Sequence, residues 1–174
     1  MKSFWSSAWE ILEIILISVV AVFLIRNFLA QPFLVSGASM EPTFDNRDYL
    51  IIDEVTYRFR EPERGEVVVF RYPNDPSVYF IKRIVGLPGE RVVIKNGRVT
   101  VYSGGEEILI GGETNGFVDT RLGGDQYFVL GDNRYNSFDS RNWGPVKRTD
   151  IIGIARIKVF PINEFQIIKA SANL

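Results

Sequence analysis

The chain has 174 residues, a net charge of −1 and 46% hydrophobic side chains, which suits one domain with a small lobe and an apolar segment. That charge balance gives no electrostatic footprint for nucleic acid. Histidine and cysteine are both absent, which excludes disulfides, thiol nucleophiles, histidine-liganded zinc and a Ser-His-Asp triad, so any hydrolytic base must be a carboxylate, a lysine or a bound group.

Residues 1–10 form a short flank with Lys2, Trp5 and Trp9, and residues 11–29 are mostly Ile, Leu, Val, Ala and Phe. As a helix, about 19 residues rising about 1.5 Å each reach roughly 28 Å, the depth of a hydrocarbon core. Glu13, Arg26 and Asn27 fall toward the ends, where long side chains snorkel, and the tryptophans suit a membrane interface. The expected anchor is residues 11–30, with Gln31-Pro32 ending the helix. A buried soluble helix and a cleaved signal peptide are the alternatives; the bulky Phe28 in Phe28-Leu29-Ala30 argues against cleavage. Orientation stays open, because Lys2 on one side is matched by Arg26 on the other.

Beyond Phe33, short runs rich in Val, Ile, Tyr and Phe alternate with Gly, Pro, Asn and Asp, the texture of β structure. Strands are expected at residues 49–53, 66–72, 78–85, 91–95, 98–102, 107–110, 126–130 and 152–160. Pro73-Asn74-Asp75-Pro76 is a turn, and Asn96-Gly97 signals a type I′ hairpin. The expected fold is mostly β: an antiparallel, barrel-like catalytic core of residues 31–88 and 125–174, with a small hairpin lobe, 89–124, inserted in it and one N-terminal transmembrane helix ahead of it.

Three stretches carry possible chemistry. Val35-Ser36-Gly37-Ala38-Ser39-Met40-Glu41-Pro42-Thr43 holds Ser39 in a tight turn, where a hydroxyl is exposed beside a backbone N–H. In residues 78–85, alternation sets Lys82 on a face with Val78, Phe80 and Ile84, and Ile81 and Arg83 on the other. An amine desolvated there loses its proton more readily and becomes a general base for a serine; a lysine whose stem merely covers apolar surface is the plainer alternative. Residues 131–146 are dense in polar groups, and Asp132, Asp139, Arg134 and Arg141 are able to pair while Ser137 or Ser140 bonds a lysine. No spacing there argues for a metal, and no cofactor is expected.

Together the segments Ser36–Thr43, 79–89 and 131–144, following one apolar span, resemble type I signal peptidase, a membrane-anchored Ser-Lys endopeptidase of minimal single-span form. The resemblance implies that Ser39 is the nucleophile and Lys82 the general base, that Ser137 positions the amine, and that Asp132, Asp139, Arg141 and Arg83 brace the site. It implies an oxyanion hole from the Ser39 N–H and a group at Gly37, where some members carry a serine and this chain does not. It implies substrate-pocket positions at Phe33, Val35, Met40 and Ile81, and an extended substrate bound by strand addition. The partners it implies are exported preproteins with small residues at the cleavage site and the lipid bilayer, with the catalytic domain on the extracytoplasmic side of the plasma or inner membrane. Rival readings are a specialised Ser-Lys processing peptidase, a membrane-tethered binding module without catalysis, and a carboxylate-dependent metal hydrolase.

Overall fold

The structure, a computed structural model, describes residues 2–24 and 30–170. Helix α1 spans Lys2–Leu24. The expected anchor runs beyond it into residues 25–29, which lie outside the described residues, and its last position belongs elsewhere: Ala30 opens a strand. Among the described residues no helix is long and apolar enough to cross a membrane. Within α1 the polar Ser7, Glu10 and Glu13 interrupt the N-terminal half, and Trp9, Ile15 and Phe23 are exposed.

Twelve strands follow among the described residues, in antiparallel pairs. The larger sheet is ordered β1(Ala30–Leu34), β2(Tyr49–Asp53), β11(Ile151–Phe160), β3(Val67–Tyr72), β4(Asp75–Gly86), β9(Gln126–Leu130), β10(Val146–Lys147), with β12(Gln166–Ile167) on β11. The smaller is ordered β7(Glu106–Ile110), β6(Arg98–Ser103), β5(Arg91–Lys95), β8(Val118–Arg121). The described pairings do not close a barrel. Strand β1 is an end strand, and β9 joins β4 only from Arg83 onward, so the outer edge of the first half of β4 carries no partner strand. Strand β1 was not expected, because Gln31-Pro32 reads as a terminator; Pro32 is tolerated on an end strand paired through Pro32↔Ile51. The hairpin between β3 and β4 is tighter than expected: Tyr72 pairs with Asp75 across Pro73-Asn74, and Pro76 lies within β4. At Asn96-Gly97 both residues have positive φ, 53° and 78°, as a type I′ turn between β5 and β6 requires.

Three apolar clusters hold these layers. Val35, Met40, Phe44, Leu50, Ile52, Val67, Val69, Ala155 and Ile168 pack beneath the turn that carries Ser39. Tyr57, Val68, Phe70, Ile84, Tyr127 and Val129 fill the middle of the larger sheet with Val146, Ile151 and Ile154. Val85, Phe128 and Leu130 of that sheet join Val92, Ile94, Val99, Val101, Ile110 and Leu122 of the smaller one. Full burial of a side chain such as Phe44 contributes about 1.5–3 kcal/mol. Met40 and Phe44 therefore pin the turn that carries Ser39 from below.

Candidate active site

Ser39 sits in the connection between β1 and β2, and local hydrogen bonds shape that connection. The Val35 N–H donates to Asp48 O at 2.9 Å, the Arg47 N–H to Val35 O at 2.9 Å, and the Phe44 N–H to Met40 O at 3.0 Å. The Gly37 N–H donates to Asn46 Oδ1 at 3.0 Å. Gly37 has φ +93°, a conformation that a side chain would strain, so a serine hydroxyl is absent there for a backbone reason.

Lys82 comes from β4, opposite Val68 of β3, and is only 4% exposed. Its Nζ donates to Ser39 Oγ at 2.7 Å and to Ile81 O at 2.8 Å, and lies 5.5 Å from the centroid of the Phe80 ring. Tyr72 and Trp143 hold that ring, at centroid distances of 4.9 and 5.4 Å. Burial pushes the Lys82 amine down to about 8, and the more distant charges of Asp139 and Asp132 oppose the shift in part. An amine of that basicity is neutral in a substantial fraction at neutral to mildly alkaline pH, which a general base needs.

The loop after β9 closes the site. Asp132 receives Arg83 Nε at 2.8 Å and Arg83 Nη2 at 2.5 Å, a two-pronged ion pair, and Thr43 Oγ1 at 2.6 Å. Asp139, fully buried, caps the short helix α2(Ser140–Trp143) and takes Arg141 Nε and Nη2, each at 2.8 Å. It also accepts the Gly131 N–H at 3.1 Å. Each of these two carboxylates is thus matched by a guanidinium, and the groups hydrogen-bonded to Lys82 Nζ are neutral. Gly131 packs so closely that a Cβ there would lie 2.5 Å from Ser39 O and collide with Ser137 Oγ. Asn133 reaches back to the Ser39 turn, its N–H donating to Ser39 O and its Nδ2 to Ala38 O, both at 3.1 Å.

Beside the Ser39 hydroxyl lies a cleft of about 100 Å³ lined by Phe33, Val35, Ser36, Tyr79, Phe80 and Ile81, among others. Of the expected pocket positions, Phe33, Val35 and Ile81 line it. Met40 does not: it is 1% exposed and belongs to the cluster beneath the turn, packed with Val35, Phe44 and Leu50. Ser137 also departs from expectation. Its Oγ is buried without a hydrogen-bond partner, and Lys82 Nζ bonds Ser39 and Ile81 instead. Phe80 was expected beside Lys82, whereas no role was read for Thr43, Tyr79 or Asn133; the polar density of residues 131–144 marked the loop but not which amide turns toward Ser39.

Comparison with known proteins adds an independent line. The family model described as signal peptidase, peptidase S26, matches residues 8–160. A crystal structure of a signal peptidase I from Enterococcus faecalis V583 superposes with a TM-score of 0.47 at 24% identity, covering 55% of this chain and 97% of that one. The "Probable signal peptidase I-2" of Synechocystis sp. is 41% identical over 146 residues, which span 79% of this chain and 66% of that relative. A signal peptidase I of Leptolyngbya laminosa is 37% identical over 168 residues, 91% of this chain and 82% of the relative. The motifs around Ser39, Lys82 and residues 131–144 all fall inside the matched region, and the chain belongs to the signal peptidase family, peptidase S26.

Proposed function

We propose that this chain is a membrane-anchored serine endopeptidase that removes signal peptides from exported preproteins, with Ser39 as nucleophile and Lys82 as general base. The observation that carries this reading is the 2.7 Å contact between Lys82 Nζ and Ser39 Oγ at a lysine that is only 4% exposed and has no carboxylate bonded to it. Neutral Lys82 takes the Ser39 hydroxyl proton as Oγ attacks the scissile carbonyl. The carbonyl oxygen becomes an oxyanion facing the Ser39 N–H, which has no acceptor among the described residues. Protonated Lys82 then gives its proton to the leaving amine. Water, deprotonated by the same lysine, releases the acyl product. The Ser137 hydroxyl, buried and unbonded, is the group that takes up the lysine amine once Ser39 Oγ is esterified. Asp132 with Arg83 and Asp139 with Arg141 hold the loop that presses on this arrangement.

The substrate enters where the sheet is open. The free edges of β1 and of the first half of β4 flank the cleft, and the Phe33 and Tyr79 rings approach to 5.8 Å across it. An extended peptide adds as a strand between these edges, and a small side chain suits an apolar cleft of this size. The apolar residues 11–29 anchor the chain in the plasma or inner membrane by one pass, and the catalytic core of residues 31–88 and 125–174, joined by Ala30 at the start of β1, works on the extracytoplasmic face, with 89–124 as an inserted lobe. Holding enzyme and apolar signal segment in one bilayer raises their effective concentration without a further contact.

The test is to mix purified protein with a preprotein and map any cut. The expected result is cleavage after a small residue, lost in Ser39→Ala and in Lys82→Ala at unchanged melting temperature. Near-normal turnover by either variant overturns the dyad, and no cleavage by the unmodified protein on a panel of preproteins overturns the peptidase reading.

A further inference from the structure

Signal-peptide cleavage by Ser39 needs its backbone N–H aimed at one point, and the structure has a device for aiming it outside the dyad. The Ala38–Ser39 peptide unit is trans, so its carbonyl oxygen and its N–H point in opposite directions across one rigid plane. Asn133 Nδ2 holds the Ala38 oxygen at 3.1 Å, which also accepts the Glu41 N–H of its own turn at 3.3 Å, and the Asn133 N–H holds the Ser39 oxygen at 3.1 Å. Two consecutive carbonyls are thereby drawn to one side of the turn. The N–H groups of Ser39 and Met40, each trans to one of those carbonyls, face the other way, and neither has an acceptor among the described residues. Because Gly37 supplies no hydroxyl, the direction of these backbone donors matters more than it would beside a side-chain donor.

We infer that Asn133 is a positioning residue that fixes the two peptide planes at Ser39 and so aims the backbone donors at the oxyanion. It touches neither substrate nor reacting atoms; it acts through the backbone of the nucleophile. The inference rests on the peptidase reading above. Removing a direct oxyanion donor costs about 10²–10³ in rate, so misaiming one without removing it is expected to cost about 10- to 100-fold in kcat. Asn133 is not among the residues that line the cleft between β1 and β4, so KM is expected to stay within about twofold.

Asn133→Asp keeps the size of the side chain and the backbone bond to Ser39 O but has no N–H for Ala38 O; Asn133→Ala removes the side chain altogether. Both are assayed on a preprotein that the unmodified chain cleaves, and melting temperatures are recorded alongside. The decisive readout is inhibition by a peptide aldehyde against its unreactive alcohol. Ser39 Oγ adds to the aldehyde carbon, its proton passes to Lys82, and the carbonyl oxygen becomes the oxyanion. The expected result is that both variants lose aldehyde affinity in parallel with kcat while alcohol affinity and KM hold. Unchanged kcat in both variants, or equal losses of aldehyde and alcohol affinity, overturns the assignment. Absence of cleavage by the unmodified chain instead removes the peptidase reading itself, so the two failures are distinct.

Discussion

Two lysines in this chain are buried alike, each 4% exposed, and their surroundings make them opposites. Lys82 bonds a hydroxyl and a carbonyl, both neutral, and burial brings its amine down to about 8. At Lys158 burial also acts to lower the pKa, but Asp48 and Glu164, each at 2.6 Å, outweigh it and leave the amine above its ordinary range. Depth differs as well: Lys158 lies just beneath the surface, next to a Glu164 that is 46% exposed. Desolvation alone therefore does not make a base. It makes one where the nearby carboxylates are already taken, and in the active site Arg83 and Arg141 take them.

The sharpest way to break this comparison is to replace each lysine by arginine, which keeps the charge and cannot surrender its proton. Lys82→Arg is expected to lower kcat/KM by about 10³-fold or more, whereas Lys158→Arg leaves it within a few fold, measured on one preprotein. Comparable losses in both would put the two sites in the same class. A smaller effect follows from Gly131→Ala. Its Cβ would press on Ser39 O and Ser137 Oγ, shifting Ser39 and its hydroxyl away from the Lys82 amine, and a loss of about 10²-fold in kcat is expected with the fold retained by circular dichroism. On the structural side, Lys158→Met strands the Asp48 carboxylate, which is 2% exposed. The expected cost is about 2–4 kcal/mol in denaturant unfolding at pH 7, with turnover kept where the variant is folded.

The smallest expected effect has a sign that separates the two sites. Lys82 binds its proton less tightly in the folded chain than in the unfolded one, so its penalty is full below about pH 8 and fades as pH rises toward the unfolded value of 10.5. Relative to Lys82→Met, the unmodified chain gains about 1 kcal/mol between pH 8 and 9. Lys158, raised when folded, contributes stability below pH 10.5 that is lost only above it as pH climbs through its folded value. Parallel pH-dependent denaturation of the two methionine variants checks both slopes.

How much of this was legible in the residues varies along the chain. Alternation in residues 78–85 put Lys82 with Phe80 and Ile84, and this face is where the dry amine lies. The smaller sheet was visible as valine and isoleucine runs around Asn96-Gly97, because local turn chemistry sets a hairpin's register. Strand β1 was hidden, because its pairing with β2 is a tertiary choice that overrides the local message of Gln31-Pro32. Met40 was a pocket position only by resemblance, and the fold instead buries it in the cluster beneath the Ser39 turn. Asn133 was one of several polar residues in its loop, and only the fold brings its amide 95 positions back to Ala38.

The account depends on Lys82 working as a neutral base, and the pH dependence of kcat/KM on one preprotein tests that most directly. A rise with a midpoint near pH 8 to a plateau that holds toward pH 10 is the predicted result. A profile flat from pH 7 to about pH 10 that falls only in acid would contradict it and assign the proton transfer to a carboxylate.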